Sequence, residues 1–268
     1  MSIITISRGC YSRGKEVAEK VAKELGYQCI SREILLDASE KFHIPEIKLI
    51  RAIHDAPSVF DRFTYGKEKY IAYLHSALLK NVQKDNVVYH GLAGHFFLQD
   101  IPHVLKVRVI ADLEYRVKEE MNRENISAEE ARYILRKDDD ERRKWGLQLY
   151  GRATRDSSLY DLVVHIKTKK VDDAVGLILY AARMSCFQTT PESQKILDDL
   201  TLAAELKAAL VEEFPKSEVS AKDGSALVKI EIPLSQQEKA TNKIKEIAET
   251  IPRIKEVNVY ATPMMGTD

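Results

Sequence analysis

The sequence has 268 residues, of which 44% are hydrophobic and 31% charged; the length suits two domains, and the composition excludes an intrinsically disordered chain. Its 41 basic and 41 acidic residues give no net charge, so no overall field attracts a polyanion, and we expect no nucleic-acid partner. Three widely spaced cysteines without a CxxC pair exclude a disulfide framework and a zinc site. The sequence shows no export signal and no apolar run of about 18 residues, so we expect a cytoplasmic protein with no transmembrane segment.

The chain opens with a pattern typical of a strand, a loop, a helix and a second strand. Residues 3–6 form a β-branched run, and residues 17–25 repeat apolar side chains at helical spacing. Gly26 is a residue that commonly ends a helix, and residues 27–30 resemble another short strand. We therefore predict a β-α-β unit at the start of an α/β domain.

A helical insert and two buried strands follow. Residues 32–84 show a helical pattern with Pro45 and Pro57 as breaks. Residues 86–89 and 104–110 are rich in valine and isoleucine, and near-continuous apolar runs of this length suit strands covered on both faces. Alternating strands and helices predict a doubly wound parallel sheet.

Two strongly charged helical stretches come next, residues 112–124 and 127–145. The second opens with Ser127 followed three residues later by Glu130, which is a capping-box pattern. A last strand and a last helix of the first domain are predicted at residues 162–166 and 171–184.

A second, smaller domain is predicted after residue 195. Residues 189–195 are polar with one proline and have the composition of a linker, so we place the first domain at 1–188 and the second at 196–264. The second domain shows an α-β-β-α-β order typical of a small α+β fold. Its predicted elements are a helix at 200–214, a strand near Val219, a turn at Asp223 and Gly224, a strand at 226–232, a helix at 236–250 and a strand at 257–260.

Residues 9–15 fit the pattern GxxxxGK and lie between a predicted strand and a predicted helix. Glycines let backbone amides approach phosphate oxygens, the helix N-terminus favours anions, and a lysine supplies a cation. The alternative is a tight turn that merely needs glycine. Glu16 stands where a serine or threonine usually binds magnesium, which makes it the candidate metal ligand. The predicted nucleotide-binding residues are Gly9, Ser12, Arg13, Gly14, Lys15 and Glu16.

Three arginines lie in the polar helices after the fourth predicted strand. Arg116 belongs to the first helix, and Arg142 and Arg143 follow the acidic run 138–141 in the second. Kinases of small phosphorylated substrates neutralise the transferred phosphoryl group with arginines that a closing lid brings in. The alternative is a solvated helix whose charges form pairs at i, i+4. With Lys15, these arginines are the predicted catalytic residues.

Several segments together resemble the cytidylate kinase-like family over about residues 1–185. These segments are residues 3–8, the glycine-rich loop, and residues 25–27, 31–35, 86–95, 111–116, 140–143 and 159–163. The resemblance implies a P-loop kinase fold with a lid, and phosphoryl transfer from ATP with Mg²⁺ to a nucleoside monophosphate, CMP or a related pyrimidine nucleotide. It further implies that Arg116, Arg142 and Arg143 contact phosphates, that Asp140 orients the lid or the nucleotide, and that Arg32 faces the acceptor.

Three histidines, His90, His95 and His103, are close together in the sequence without the i, i+4 spacing of a helical metal pair. We expect polar packing for most of them. His90 and His95 flank Gly91 at the end of a predicted strand, where open α/β sheets bind ligands. We therefore add Gly91 and His95 to the candidate acceptor site.

Residues 196–264 resemble a BON domain, on the pattern of residues 200–210, 228–232 and 251–259 with Val219 and the turn at Asp223. The resemblance implies a binding module, and a protein partner, a lipid and self-association all stay open.

Two departures from the family pattern leave an alternative to catalysis open. Glu16 alters the phosphate loop, and Leu92 stands where many relatives have an arginine; Ser31 also replaces a usual aspartate near Arg32. The leading hypothesis is a nucleoside monophosphate kinase. The alternative is a non-catalytic nucleotide sensor that signals through the BON-like domain. A third hypothesis is a scaffold protein whose kinase fold has lost its catalytic activity.

Overall fold

The computed structural model describes residues 2–8, 13–31, 33–54, 66–91, 93–167 and 170–263. These residues form two compact units, one drawn from 1–58 and 84–190 and the other from 59–83 and 191–268. Over the described ranges, no helix combines the length and the apolar character needed to cross a membrane.

The first unit is built on a five-stranded sheet with the order β2-β3-β1-β4-β5. All neighbouring strands are parallel. The strands are β1 (Ile3–Arg8), β2 (Gln28–Ile30), β3 (Val87–His90), β4 (Val104–Ala111) and β5 (Leu162–Ile166). The predicted doubly wound parallel sheet is confirmed.

Helices follow each strand of this unit. They are α1 (Gly14–Leu25), α2 (Glu33–Phe42), α3 (Glu46–His54), α5 (Gly94–Phe97), α6 (Leu113–Glu124), α7 (Ala128–Tyr150) and α8 (Val171–Ala182), while α4 (Gly66–Val82) lies in the second unit. The ends of two helices follow the sequence signals. Gly26 closes α1 in the left-handed conformation with φ 69°, and Ser127 and Glu130 form the predicted capping box of α7.

The two faces of the sheet differ in polarity. One face buries an apolar cluster in which strand residues such as Ile4 and Val107 pack against Val17 and Val21 of α1 and Ile178 of α8. Because successive side chains of a strand point to opposite faces, the alternate positions carry the polar residues Thr5, Ser7 and Arg108 to the other face. Burial of so much apolar surface on one side fixes the register of the strands, and with it the direction of these polar side chains.

Gly94 begins α5 where the chain passes close to the sheet. A Cβ atom at this position would lie 2.6 Å from the ring of Tyr89 and would also overlap the hydroxyl of Thr5. We expect Gly94→Ala to lower the free energy of unfolding by about 1–3 kcal/mol, because the ring and β1 must shift. The measurement is urea unfolding of both proteins at equilibrium.

Gly176 supplies the matched control for this substitution. It is exposed on α8, and an added Cβ would have nothing within 4 Å. We expect Gly176→Ala to raise stability by roughly 0.5–1 kcal/mol, since alanine favours a helix more than glycine does. A Gly94→Ala protein as stable as the wild type would contradict the close packing of α5.

The second unit has its own three-stranded sheet, with the order β6-β7-β8. Its elements are α4, α9 (Pro191–Leu210), β6 (Glu218–Lys222), β7 (Ser225–Glu231), α10 (Gln237–Glu249) and β8 (Glu256–Thr262). Strands β6 and β7 are antiparallel and β7 and β8 are parallel, in the predicted α-β-β-α-β order after α4. Asp223 and Gly224 form the predicted turn between β6 and β7, with φ values of 56° and 86°.

Helix α9 begins earlier than the sequence predicts. It starts at Pro191 instead of residue 200, so residues 191–195 of the predicted linker are helical. Proline is favoured in the first turn of a helix, where its missing N–H has no partner to lose. Tyr73 of α4 donates a hydrogen bond of 2.8 Å to Glu212, just beyond α9, and α4 packs along α9. Contacts thus group α4 with the C-terminal residues, while the division into domains at 189–195 stays a prediction.

Candidate active site

A cavity of about 320 Å³ opens at the carboxyl end of the large sheet. This volume falls within the range of about 300–1,000 Å³ found for small-molecule sites, and the carboxyl edge is where open α/β sheets bind ligands. The lining residues come from β1, β4, β5, α5, α6, α7 and the loops after β3 and α7. They are Ser7, Ala93, His95, Arg108, Ile110, Ala111, Arg116, Asp139, Arg142, Trp145, Thr154, Arg155, Ser157 and Val163.

One carboxylate holds two of the four arginines of the cavity. Arg116 of α6 is nearly buried, and its two terminal nitrogens donate to the two oxygens of Asp139 on α7 at 3.1 and 2.9 Å. Arg155, from the loop after α7, lies 3.8 Å from the same carboxylate. A two-point arginine–carboxylate pair fixes the plane of the guanidinium. Asp139 therefore fixes the position of a cationic wall of the cavity.

Arg108 forms the floor of the cavity. Its Nη1 donates to the carbonyl oxygen of Thr154 and, at 3.0 Å, to the hydroxyl of Tyr160. The Tyr160 hydroxyl in turn lies 2.9 Å from the Thr154 carbonyl and 3.3 Å from the hydroxyl of Ser7. Burial lowers the pKa of Arg108, but an arginine starts so far above neutrality that it keeps its charge. The floor is thus a positive charge held rigidly by polar neighbours.

His95 is the other polar group of the floor, and it is only 3% exposed. Neither ring nitrogen has a hydrogen-bond partner among the residues that the structure describes. Its ring centre lies 5.0 Å from that of Tyr160. Burial, and secondarily the charge of Arg108, lowers the pKa of His95 to about 3. The imidazole is therefore neutral at physiological pH.

This neutral imidazole makes the stability of the protein depend on pH. The unfolded chain binds a proton at His95 near pH 6.5 and the folded chain only near pH 3, so the folded state loses stability as the pH falls through that window. We expect the free energy of unfolding to be about 2 kcal/mol lower at pH 5 than at pH 7.5, because each pH unit below 6.5 costs about 1.36 kcal/mol. Urea unfolding at the two pH values measures it. His95→Gln should lose this part of the pH dependence; an unchanged dependence would mean that His95 is not buried in neutral form.

Helix α1 carries the predicted phosphate-binding residues to a separate depression. Arg13 precedes the helix in the left-handed conformation with φ 56°, and Gly14 is the first helical residue. Lys15 is exposed, with its amine 3.7 Å from Glu19, and the Glu16 carboxylate lies 3.5 Å from Lys20. This depression, of about 520 Å³, is lined by Arg13, Lys15, Glu16, Glu19, Glu119, Asn122 and Arg123. Strand β1 and helix α1 are present on either side of the predicted loop, whose residues 9–12 lie outside the described residues, and Lys15 lies in the first turn of α1.

The structure brings some of the predicted site residues together and leaves others apart. Arg116, Arg142 and His95 line the cavity. Arg143 instead forms a salt bridge of 2.7 Å with Asp140, and Lys144 forms one of 2.8 Å with the same carboxylate. Arg143 and Asp140 are not among the residues that line the cavity. Gly91 is likewise not a lining residue; a side chain there would lie 2.6 Å from the Tyr89 hydroxyl. Gly9, Ser12 and Arg32 lie outside the described residues.

The sequence analysis did not select Asp139, Arg108 or Arg155, although two of them carry a readable signal. Ala131 and Leu135 lie on the buried face of α7. Asp139 is four residues after Leu135, and Arg142 is three residues after Asp139, so both lie on the same face of the helix. Asp140 is rotated away from it. Arg108 stands in the middle of an apolar strand, where an arginine needs a specific reason. Arg155 lies in an irregular loop, and no periodicity in the sequence indicates its direction.

A sequence model of the cytidylate kinase-like family matches residues 3–168, which is more than half of the chain. The chain belongs to the cytidylate kinase-like family. The matched range contains every residue that lines the cavity and all five strands of the large sheet. The P-loop kinase fold expected from the sequence is therefore that of the first unit of this cytidylate kinase-like protein.

One sequence relative and two solved structures are similar to this chain. A cytidylate kinase from Thermoplasma volcanium is 27% identical over 177 residues, covering 66% of this chain and 88% of that protein. A crystal structure of a protein from Eubacterium ventriosum has a TM-score of 0.52 at 21% identity, covering 68% of this chain and 98% of that one. A shikimate kinase from Bacteroides thetaiotaomicron has a TM-score of 0.44 at 10% identity, with coverages of 68% and 99%. The Eubacterium structure supports the fold of the first unit.

Proposed function

We propose that the protein transfers the terminal phosphoryl group of ATP to a nucleoside monophosphate. The observation that carries this proposal is the cavity at the carboxyl edge of the sheet, whose lining includes Arg108, Arg116, Arg142 and Arg155. Phosphates are the anions that such a set of guanidinium groups suits best. Family membership supports the same class of reaction.

The donor nucleotide is assigned to the N-terminus of α1. Gly14 begins the helix, and Lys15 projects from its first turn beside the depression lined by Arg13 and Glu16. N–H groups at a helix N-terminus and a lysine are the groups that hold the terminal phosphates of ATP. Glu16 would hold Mg²⁺, because carboxylate oxygens are ligands that this ion accepts. Bound Mg²⁺ supplies positive charge to the phosphate oxygens.

The arginines of the cavity stabilise the transferred group. An oxygen of the acceptor phosphate bonds to the γ-phosphorus, the bond from that phosphorus to the β,γ-bridging oxygen breaks, and ADP leaves with the electron pair. Both reactants are anions, so cations that reduce their repulsion lower the barrier. Arg116 comes from α6 and Arg142 from α7, the two polar helices that follow β4, and Asp139 keeps Arg116 at the cavity before the substrate arrives.

We propose CMP or a related pyrimidine nucleotide as the acceptor. The proposal rests on the family match and on the name of the Thermoplasma relative, a cytidylate kinase.

The experiment is ADP formation by the full-length protein with ATP, Mg²⁺ and each nucleoside monophosphate in turn, alongside calorimetric binding of ATP. Turnover that depends on CMP or UMP supports the proposal. Turnover with a purine nucleotide alone would overturn the pyrimidine assignment. ATP binding without turnover on any acceptor would overturn the kinase assignment in favour of a nucleotide sensor.

We also propose that residues 196–264 act as a BON-like binding module, separate from a kinase domain at 1–188. Support comes from their small sheet with the order α-β-β-α-β and from a hydrophobic core of their own, which includes Leu206, Val228 and Ile244. Sedimentation of the protein alone and with liposomes at several salt concentrations separates self-association from lipid binding. If the protein is a monomer and does not bind liposomes, the ligand of the module is a protein partner.

A further inference from the structure

His95 is a buried polar side chain that the arginine chemistry of the cavity does not use. It lines the cavity at 3% exposure, and within the described part of the chain both of its ring nitrogens lack a hydrogen-bond partner. A buried donor or acceptor without a partner costs about 1–3 kcal/mol. Such a group at the wall of a cavity is expected to find its partner in the ligand.

The charge state of His95 separates it from its arginine neighbours. Burial and the adjacent Arg108 keep the imidazole neutral, with a pKa of about 3. A neutral imidazole offers one N–H donor and one nitrogen acceptor, and it brings no positive charge to a phosphate. The four arginines can satisfy the phosphate, so the imidazole suits the uncharged part of the same ligand.

Trp145 provides an aromatic wall to the same cavity. Its indole N–H donates to the carbonyl oxygen of Ala52 at 2.8 Å, which fixes the orientation of the ring. Phe96 lies beside both Trp145 and His95, with ring-centre distances of 5.9 and 4.2 Å. Flat aromatic surfaces with few fixed polar groups are typical of sites for nucleobases and other planar ligands.

We infer that His95 is a specificity residue, which hydrogen-bonds to the nucleoside part of the acceptor while the arginines of the cavity hold its phosphate. This inference rests on the proposed function, because it takes a nucleoside monophosphate as the occupant of the cavity. It assigns the charged arginines of the cavity to the phosphate, and the neutral His95 together with the aromatic Trp145 to the nucleoside.

Tryptophan fluorescence offers a direct test, because Trp145 is the one tryptophan of the sequence and it lines the cavity. The full-length protein is titrated with CMP, UMP, AMP, GMP and inorganic phosphate. The variants are His95→Phe, which removes both polar atoms, and His95→Gln, which keeps a donor and an acceptor. His103→Phe is the matched control: His103 is 1% exposed with both nitrogens unpartnered, but it precedes β4 at the opposite edge of the sheet. Circular dichroism checks that each variant is folded.

We expect His95→Phe to weaken binding of the preferred nucleoside monophosphate by about 10- to 100-fold, the usual effect of a lost hydrogen bond in a buried site. His95→Gln should recover part of the affinity. Phosphate affinity should stay unchanged in both, and His103→Phe should bind like the wild type.

Two results would overturn the inference while leaving the proposed function standing. One is a His95→Phe protein that binds every monophosphate as tightly as the wild type. The other is an equal loss for the nucleotide and for inorganic phosphate, which would place His95 at the phosphate or make its role structural. Wild-type protein that binds phosphate but no nucleoside monophosphate would contradict the proposed function itself, and the inference with it.

Discussion

Replacing Lys15 by alanine is expected to weaken ATP binding by about 100-fold, which corresponds to about 2.8 kcal/mol. Lys15 lies in the first turn of α1, next to Gly14, and in the proposed donor site its amine binds the terminal phosphates of ATP. The effect is large because the positive charge of the lysine and the helix N-terminus both favour binding of the phosphate groups. Calorimetric titration with ATP and Mg²⁺ measures it.

Lys23 is the control for this substitution. It is an exposed lysine of the same helix, but it lies in the last turn, away from the glycine-rich loop. Lys23→Ala should bind ATP like the wild type. Equal ATP affinity in wild type and Lys15→Ala would show that residues 9–15 form an ordinary tight turn and would remove the donor site from the proposal.

Arg142→Ala is expected to slow phosphoryl transfer by about 10²–10³-fold with little change in ATP affinity, since a cation that acts on the transition state contributes mainly to kcat. Arg142 lines the cavity from α7, on the helical face that also carries Asp139 and Trp145. Steady-state ADP formation and ATP binding are measured on the same preparation.

Arg143 offers a close comparison, because it is the next residue and carries the same charge. Its guanidinium bonds to Asp140 outside the cavity lining, so we expect a much smaller loss in Arg143→Ala. Equal losses in the two variants would indicate that α7 rotates on substrate binding and that Arg143 also reaches the substrate, as the family resemblance implies.

The phase of α7 illustrates what the sequence indicates about the site and what it leaves undetermined. The charged run 138–143 predicts a lid helix with arginines, and the helix is present. Which members face the cavity depends on the buried residues Ala131, Leu135 and Trp145, since they determine the rotation of the helix against the rest of the unit. That rotation brings Asp139 of α7 within hydrogen-bond distance of Arg116 of α6, and the resulting salt bridge joins the two helices.

Local signals along the chain determined most of the secondary structure. The β-branched runs, Gly26 after α1, the capping box at Ser127 and the turn at Asp223 and Gly224 each act through neighbouring residues, so the sequence alone predicts them. The start of α9 was predicted too late, because its first turns are polar and show no apolar period, while α4 packs along the same helix.

Only the tertiary structure decided the composition of the cavity. Ser7, His95, Arg108 and Arg155 come from four separate segments that meet because parallel strands bring their carboxyl ends to one edge of the sheet. The neutral state of His95 is likewise a tertiary property, because it depends on burial beside Arg108. The sequence by itself determined the fold class, the glycine-rich loop and the arginine-bearing helices, since those depend on contacts between near neighbours. The assembly of charged arginines and a neutral histidine in one site required the packing of distant segments, which no local pattern encodes.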